Sequence, residues 1–122
     1  MKIDFDNNVP IYLQIVNYLK IHIISGKYEL GSRLPSVRDL ALEVKVNPNT
    51  MQKALVELEN LKLIYTERTN GKFITNDNKL IEKYKGEYAK ELTNNYLKTM
   101  QELGLNLEET KKIMEVENVI RN

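Results

Sequence analysis

Apolar residues recur every three or four positions over most of this 122-residue chain, a period typical of helices that bury one face. The first such stripe consists of Ile11, Ile15, Leu19 and Ile23. It follows Pro10, which suits the first position of a helix because it has no N–H to leave unpaired. The pattern predicts a first helix that starts at Pro10 and ends near the Ser-Gly pair at 25–26.

Two shorter helices follow, and each has a start signal. Ser36 lies three residues before Asp39, which is a variant of the capping box, and Asn47 precedes Pro48 as an N-cap followed by proline. The residues predicted to be buried are Val37, Leu40, Ala41 and Val44 in the second helix and Met51, Ala54, Leu55, Leu58 and Leu61 in the third.

The period changes after the third helix. Residues 64–68 and 72–75 are predicted to form two short strands, and Asn70-Gly71 is predicted to turn the chain between them because both residues tolerate a positive φ. The order helix, short helix, helix and β-hairpin is that of a winged helix-turn-helix. We expect this DNA-binding fold for residues 1–76.

The helical period resumes at about Asp77 and continues without proline to Gly104. Asn106, with Glu109 three residues later, predicts the start of a final helix. Residues 77–122 are therefore expected to form a two-helix segment, which makes the whole fold mostly α with a small β-hairpin. The apolar positions of this segment are Ile81, Tyr84, Tyr88, Leu92, Tyr96, Met100, Leu103, Ile113, Val116 and Ile120.

Two helices cannot by themselves enclose a ligand pocket of about 300 Å³ or more. We therefore expect their apolar stripe to meet a second copy of itself and form a homodimer interface. The tyrosines suit such an interface. The alternative is that the long helix folds back onto its own first domain. The sequence leaves open whether a small-molecule effector binds at the dimer seam.

Composition excludes several classes of function. The chain has no Cys and one His, so it has no thiolate nucleophile or thiolate metal site and little scope for imidazole catalysis. No carboxylate lies in a recognisable catalytic setting, and we expect no enzyme activity, no metal and no cofactor. The first residues lack the apolar region of a signal peptide, and the apolar stretch at 11–24 is interrupted by polar residues. A cytoplasmic protein without a membrane partner is expected.

The start of the third helix is the expected DNA-reading element, because this end enters the major groove in a helix-turn-helix. Amide side chains there can pair with adenine, and basic side chains can contact phosphate or guanine. The alternative for these polar positions is that they only cap the helix or form a solvated face. The candidate DNA-binding residues are Arg33, Ser36, Arg38, Asn47, Asn49, Thr50, Gln52, Lys53, Arg68, Asn70, Gly71 and Lys72.

Two stretches make the interpretation specific. Residues 31–41 read Gly-Ser-Arg-Leu-Pro-Ser-Val-Arg-Asp-Leu-Ala, and residues 46–55 read Val-Asn-Pro-Asn-Thr-Met-Gln-Lys-Ala-Leu. Together with the opening Pro-Ile-Tyr-Leu-Gln-Ile at 10–15, they resemble the GntR family of bacterial transcription regulators and, within it, the YtrA subfamily. The resemblance implies a dimeric winged-helix repressor that binds a palindromic double-stranded operator and controls a transporter operon and its own gene.

The same resemblance implies roles for individual residues. Arg38 falls on the family's phosphate- or base-contacting arginine, and Arg68 falls on a wing contact. Pro48 and Gln52 stand where many relatives have arginine, which favours an amide-rich readout that leans towards A·T pairs. Lys62 replaces the glycine that usually precedes the first wing strand. The alternative function is a winged-helix module that binds protein without sequence-specific DNA binding.

The net charge of +1 initially argues against a nucleic-acid partner. The basic residues of the expected reading face, however, are balanced by acids on the later parts of the helices and on the C-terminal segment. We therefore expect weak non-specific DNA binding and an operator affinity that depends on dimerisation.

Overall fold

The computed structural model describes the backbone of residues 3–121 and the side chains of residues 3–118. The elements are, in chain order, α1 (Ile11–Ile24), α2 (Val37–Val44), α3 (Pro48–Asn60), β1 (Ile64–Glu67), β2 (Gly71–Ile74), α4 (Asn78–Glu102) and α5 (Leu107–Arg121). This confirms the predicted winged helix-turn-helix order followed by two helices. The chain divides into two compact units, Met1–Lys85 and Gly86–Asn122.

The predicted caps of α2 and α3 are present. The Ser36 hydroxyl accepts a hydrogen bond from the Asp39 N–H at 3.1 Å, and the Asn47 side-chain oxygen accepts one from the Asn49 N–H at 2.7 Å. Each bond satisfies one of the N–H groups that have no partner in the first turn of a helix. The backbone of Pro10 is extended, with a ψ of 133°. The helix α1 therefore starts at Ile11, one residue later than predicted.

The core of the first unit is built on α3, which packs against α1, α2 and β1. Met51, Ala54, Leu55 and Leu58 are completely buried, as their spacing predicts. The first position of the α1 stripe is different: Ile11 is 46% exposed because the core begins one turn later, at Ile15. Val37 and Leu61, which were expected to be buried, are only partly buried at the edge of the core.

The β-hairpin pairs β1 with β2 in antiparallel register from Ile64↔Ile74 to Glu67↔Gly71. Its loop therefore contains three residues, 68–70, instead of turning on Asn70-Gly71 alone. Gly71 has a φ of +103°, whereas Asn70 is not in the positive-φ region. The extra residue lets an ordinary turn lead into one glycine with positive φ, a common three-residue hairpin arrangement.

A short bridge ties this hairpin to the loop before α2. The Leu34 N–H donates to the Lys72 carbonyl, and the Ile74 N–H donates to the Ser32 carbonyl, both at 2.8 Å. Because these bonds extend the two-stranded ladder to a third segment, the hairpin is held beside the start of α2.

α4 begins as part of the first unit. Ile81 is 5% exposed and belongs to that unit's core, and the Tyr84 hydroxyl donates a 2.9 Å hydrogen bond to the Leu61 carbonyl. The sequence placed the domain boundary at 76/77 and assigned both side chains to the dimer interface. In the structure both side chains contact the first unit, and the division between the two compact units falls after Lys85. The participation of Ile81 and Tyr84 in a dimer interface stays a prediction.

The second unit consists of the rest of α4 and α5. Gly104, with a φ of +86°, ends the first of these helices, and Asn106 and Glu109 cap the second reciprocally at 2.9 and 3.1 Å, as predicted. Among its described side chains, Thr110 is the one buried residue, and every apolar side chain is at least partly exposed. Of the predicted interface positions, Ile120 lies outside the described side chains.

α3 ends in a turn that normally requires glycine. The Leu63 N–H bonds to the Leu58 carbonyl and the Lys62 N–H to the Glu59 carbonyl, a pair of bonds that defines a Schellman motif. Lys62 holds the left-handed position of this motif with a φ of +66°. A side chain at this backbone conformation costs about 1 kcal/mol relative to glycine.

We predict that Lys62→Gly raises the free energy of unfolding by about 1 kcal/mol, because it removes this backbone strain. Lys62→Ala should leave the stability near that of the wild type, since alanine is strained in the same way. Lys83→Gly, within α4, should lower the stability by about 1 kcal/mol. Urea unfolding followed by circular dichroism measures all three, and a Lys62→Gly protein no more stable than Lys62→Ala would contradict the assignment.

Candidate nucleic-acid interface

The exposed face of α3 is the opposite face to its buried stripe. Asn49, Gln52 and Lys53 are all exposed within its first two turns, and Thr50 is half-buried beside them. Amide, hydroxyl and ammonium groups are thus presented together at the N-terminal end of one helix. This is the set of groups that reads base edges and phosphates when a recognition helix enters the major groove.

Two of the predicted contact residues also have a structural role. The side-chain oxygens of Ser36 and Asn47 are occupied as cap acceptors. The interpretation that Asn47 caps its helix is therefore confirmed. Its side-chain N–H₂ group, the Ser36 hydroxyl proton and the remaining first-turn N–H groups of α2 and α3 stay available as donors to an anion.

A groove joins the start of α2 to the β-hairpin. It is lined by residues 33–37 on one side and by residues 66–69, 71 and 72 on the other. The Arg33 guanidinium lies against Gly71: a Cβ added to that glycine would lie 3.2 Å from Arg33 Nε. The structure thus brings together Arg33, the N-terminus of α2 and the hairpin loop, while Arg38 is exposed in the first turn of α2.

The polar side chains of the hairpin differ in how many contacts they already make within the chain. Arg68 is exposed at the loop and has no ion-pair partner among the side chains that the structure describes. Asn70 donates a 3.0 Å hydrogen bond to the Glu67 carboxylate. Lys72 Nζ donates to the Thr66 hydroxyl at 3.0 Å and lies 3.8 Å from the Glu59 carboxylate.

The position of Lys72 follows from the alternation of side chains along a strand. Lys72 shares a face of β2 with Ile74, which is completely buried, so its side chain lies on the side of the hairpin towards α3. Its charge is balanced there by Glu59. Of the predicted basic contacts, Lys72 is therefore the least available to a phosphate.

One residue outside the candidates predicted from the sequence belongs to the same surface. Tyr12 on α1 lines a recess with Ile11, Asn49, Thr50 and Lys53, and the Lys53 ammonium lies 4.0 Å from the centroid of the Tyr12 ring. A signal was present in the sequence: the helical period places Tyr12, three residues before the buried Ile15, at the edge of the buried face of α1.

The described residues hold no group of three or more His, Cys, Asp or Glu side chains arranged to bind a metal ion. In the same part of the chain, no helix is both long and apolar enough to cross a membrane. Burial raises the pKa of the Tyr28 phenol, with smaller contributions from Glu43 and Tyr18.

Known proteins resemble this chain in sequence and in fold. A sequence model described as "Bacterial regulatory proteins, gntR family" matches residues 11–74. The uncharacterized HTH-type transcriptional regulator YhcF of Bacillus subtilis is 37% identical over 105 residues, which cover 86% of this chain and 87% of YhcF. The HTH-type transcriptional repressor YtrA of the same organism is 40% identical over 79 residues, covering 65% of this chain and 61% of YtrA.

A solved structure of a GntR family transcriptional regulator from Listeria monocytogenes superimposes with a TM-score of 0.83 at 46% identity, covering 93% of this chain and 98% of that one. These relatives are transcriptional regulators and not enzymes. The polar exposed face of α3, the arginine-containing groove between the start of α2 and the hairpin, and the similarity over nearly the whole length all indicate a DNA-binding regulator. The chain belongs to the GntR family of bacterial regulatory proteins and is a winged-helix, DNA-binding transcriptional regulator.

Proposed function

We propose that this regulator is a YtrA-type repressor that binds a palindromic operator as a homodimer and acts in the cytoplasm. The observation that carries the proposal is the pairing of a polar recognition face on α3 with a second unit that has no buried apolar residue among its described side chains. The first feature suits DNA, and the second suits another copy of the chain.

On the DNA side, the proposed contacts fall into two classes. Arg33, Arg38 and Arg68 lie at the start of α2 and at the hairpin, where guanidinium groups would neutralise phosphates. Asn49 and Gln52 lie on α3, where their amides would pair with adenine in the major groove. Since no arginine occupies the exposed face of α3, we propose an operator that leans towards A·T pairs.

On the dimer side, the described part of the second unit exposes large apolar side chains and buries none of them. The large apolar residues that it exposes are Leu92, Tyr96, Leu103, Leu107, Ile113, Met114 and Val116. Exposed apolar surface of this extent on a small helical unit is typical of a protein interface. A two-fold arrangement would bury the same surface on both protomers and place two recognition helices on two operator half-sites.

Similarity to the repressor YtrA supports repression as the mode of action. A dimer bound across a promoter blocks transcription by occupying DNA that RNA polymerase must contact. A transporter operon and the protein's own gene are the targets that the YtrA-type resemblance favours.

We predict that Arg38→Ala and Asn49→Ala weaken operator binding in different ways. Losing the arginine should weaken binding to all sequences and reduce the slope of log affinity against log salt by about 0.9 per protomer. Losing the amide should cost about 1–3 kcal/mol on the operator, with little effect on random DNA or on the salt slope.

The measurement is a mobility-shift titration at several salt concentrations. Its probes are the DNA upstream of the chain's own gene, a duplex selected by the wild-type protein from a randomised library, and a random duplex. Lys83→Ala is the control for loss of an exposed cation outside the site. Binding by both variants equal to that of the wild type would contradict the contact assignments, and no shift of any duplex at low salt would contradict the proposed function.

We predict that the two cations of the hairpin are unequal in DNA binding. Arg68→Ala should weaken binding and reduce the salt slope, because its guanidinium is exposed. Lys72→Ala should change the salt slope little, because Glu59 already balances its ammonium. The same titration compares the two variants, and a larger loss of slope for Lys72→Ala would show that this assignment is wrong.

We predict that Leu92→Glu and Leu103→Glu each shift the protein from dimer to monomer, because each places a carboxylate in the proposed apolar interface. Leu42→Glu is the matched control: Leu42 and Leu103 are both 70% exposed, but Leu42 lies on α2 in the first unit. Sedimentation velocity gives the oligomeric state. A monomeric wild-type protein, or dimers that persist in both interface variants, would refute the proposed interface.

A further inference from the structure

We propose that Tyr12 is a positioning residue for DNA binding: its ring holds the Lys53 ammonium at the recognition face without neutralising it. The inference rests on the proposed function and takes Lys53, one of the candidate DNA-binding residues of α3, to contact a phosphate or a guanine. Through this contact, α1 as well as α3 contributes to operator affinity.

The geometry defines the contact. Lys53 Nζ lies 4.0 Å from the centroid of the Tyr12 ring, well inside the range in which an ammonium is attracted by the face of an aromatic ring. Tyr12 is half-buried because α1 packs against α3, whereas Lys53 is exposed. The ring is therefore the fixed partner, and the lysine is the one whose conformation is restricted.

The neighbours of this pair place it on the recognition face. Asn49 and Thr50 line the same recess, and Asn49 lies one helical turn before Lys53 on α3. The residues that line this recess include no carboxylate. Among the described side chains Lys53 forms no ion pair, so its positive charge is held beside two of the candidate DNA-binding residues without a carboxylate in contact.

A comparison within the first unit shows why an aromatic partner matters. Lys72 Nζ donates to a hydroxyl and lies 3.8 Å from the carboxylate of Glu59, which competes with a phosphate for the ammonium. Tyr12 restrains Lys53 through its ring quadrupole and brings no negative charge to the contact. Both lysines are restrained, but the one beside the tyrosine is restrained without a competing carboxylate.

The restraint has a consequence for affinity. A lysine side chain has four rotatable bonds, and ordering such a side chain at an interface opposes binding. When the ring restricts the ammonium before DNA arrives, part of this entropy is lost in advance. Since immobilising such a side chain costs about 0.5–1.5 kcal/mol, we expect the contribution of Tyr12 to be about two- to fivefold in affinity per protomer.

The test is a double-mutant cycle of Tyr12→Leu and Lys53→Ala, with Tyr12→Phe as the conservative control. The probe is the duplex selected by the wild-type protein, titrated at several salt concentrations. Lys53→Ala should lower both the affinity and the salt slope, the slope by about 0.9 per protomer. Tyr12→Leu should lower the affinity by the factor above and leave the slope unchanged, because no charge is lost. Tyr12→Phe should bind like the wild type, since it retains the ring.

The cycle separates positioning from a general structural effect. In the Lys53→Ala background, Tyr12→Leu should have no further effect on affinity. An equal loss in both backgrounds would show that Tyr12 acts independently of Lys53 and would overturn the proposal. A loss in Tyr12→Phe as large as in Tyr12→Leu would overturn it as well, because the hydroxyl would then be the active group.

A second measurement, by NMR, detects the contact in the wild-type protein itself and uses a variant only to assign the signal. In the wild-type protein, the Lys53 ε-methylene protons should resonate upfield of those of the other lysines, because they lie over an aromatic ring. The signal is assigned by its absence from Lys53→Ala. A Lys53 signal at the position of the other lysines would overturn the proposal. Absence of DNA binding by the wild-type protein would instead refute the proposed function, so the two failures are distinguishable.

Discussion

The burial of one face of α3 is the constraint on which the rest of the structure depends. Four residues of this helix are completely buried, and α1, α2 and β1 all pack against it. Because a helix with one buried face must expose the other, the same packing that stabilises the first unit also orients Asn49, Gln52 and Lys53 outwards. The stability of the first unit and the DNA recognition proposed for it therefore both depend on one helix of 13 residues.

Around that helix, the fold distributes its positive charge by pairing some cations and exposing others. Lys72 is drawn into a hydrogen bond and an ion pair, Lys53 is held by an aromatic ring, and Arg68 extends from the hairpin loop. The near-neutral net charge is therefore compatible with a locally basic DNA-binding edge. An operator contact surface of this kind depends on a few well-placed cations more than on the total charge of the chain.

The two units differ in how far their apolar residues are buried. The first unit has a continuous core to which the start of α4 contributes Ile81, and Tyr84 fastens the same turns to the end of α3. The described part of the second unit relies on helix caps and buries only Thr110. The first unit thus has an apolar core of its own, whereas the described part of the second unit leaves its large apolar side chains exposed.

The amino-acid sequence alone was sufficient for the element order, the caps of α2, α3 and α5, and most of the core, because these follow from local periodicity and from hydrogen bonds between neighbouring residues. The outward residues of α3 followed from the same periodicity. The tertiary structure decided what depends on contacts between distant segments: the packing of Ile81 and Tyr84 into the first unit, the pairing of Lys72 with Glu59 and the contact of Tyr12 with Lys53. A helical period specifies which side of a helix is apolar, but the neighbour that covers that side is set by how the chain folds back on itself.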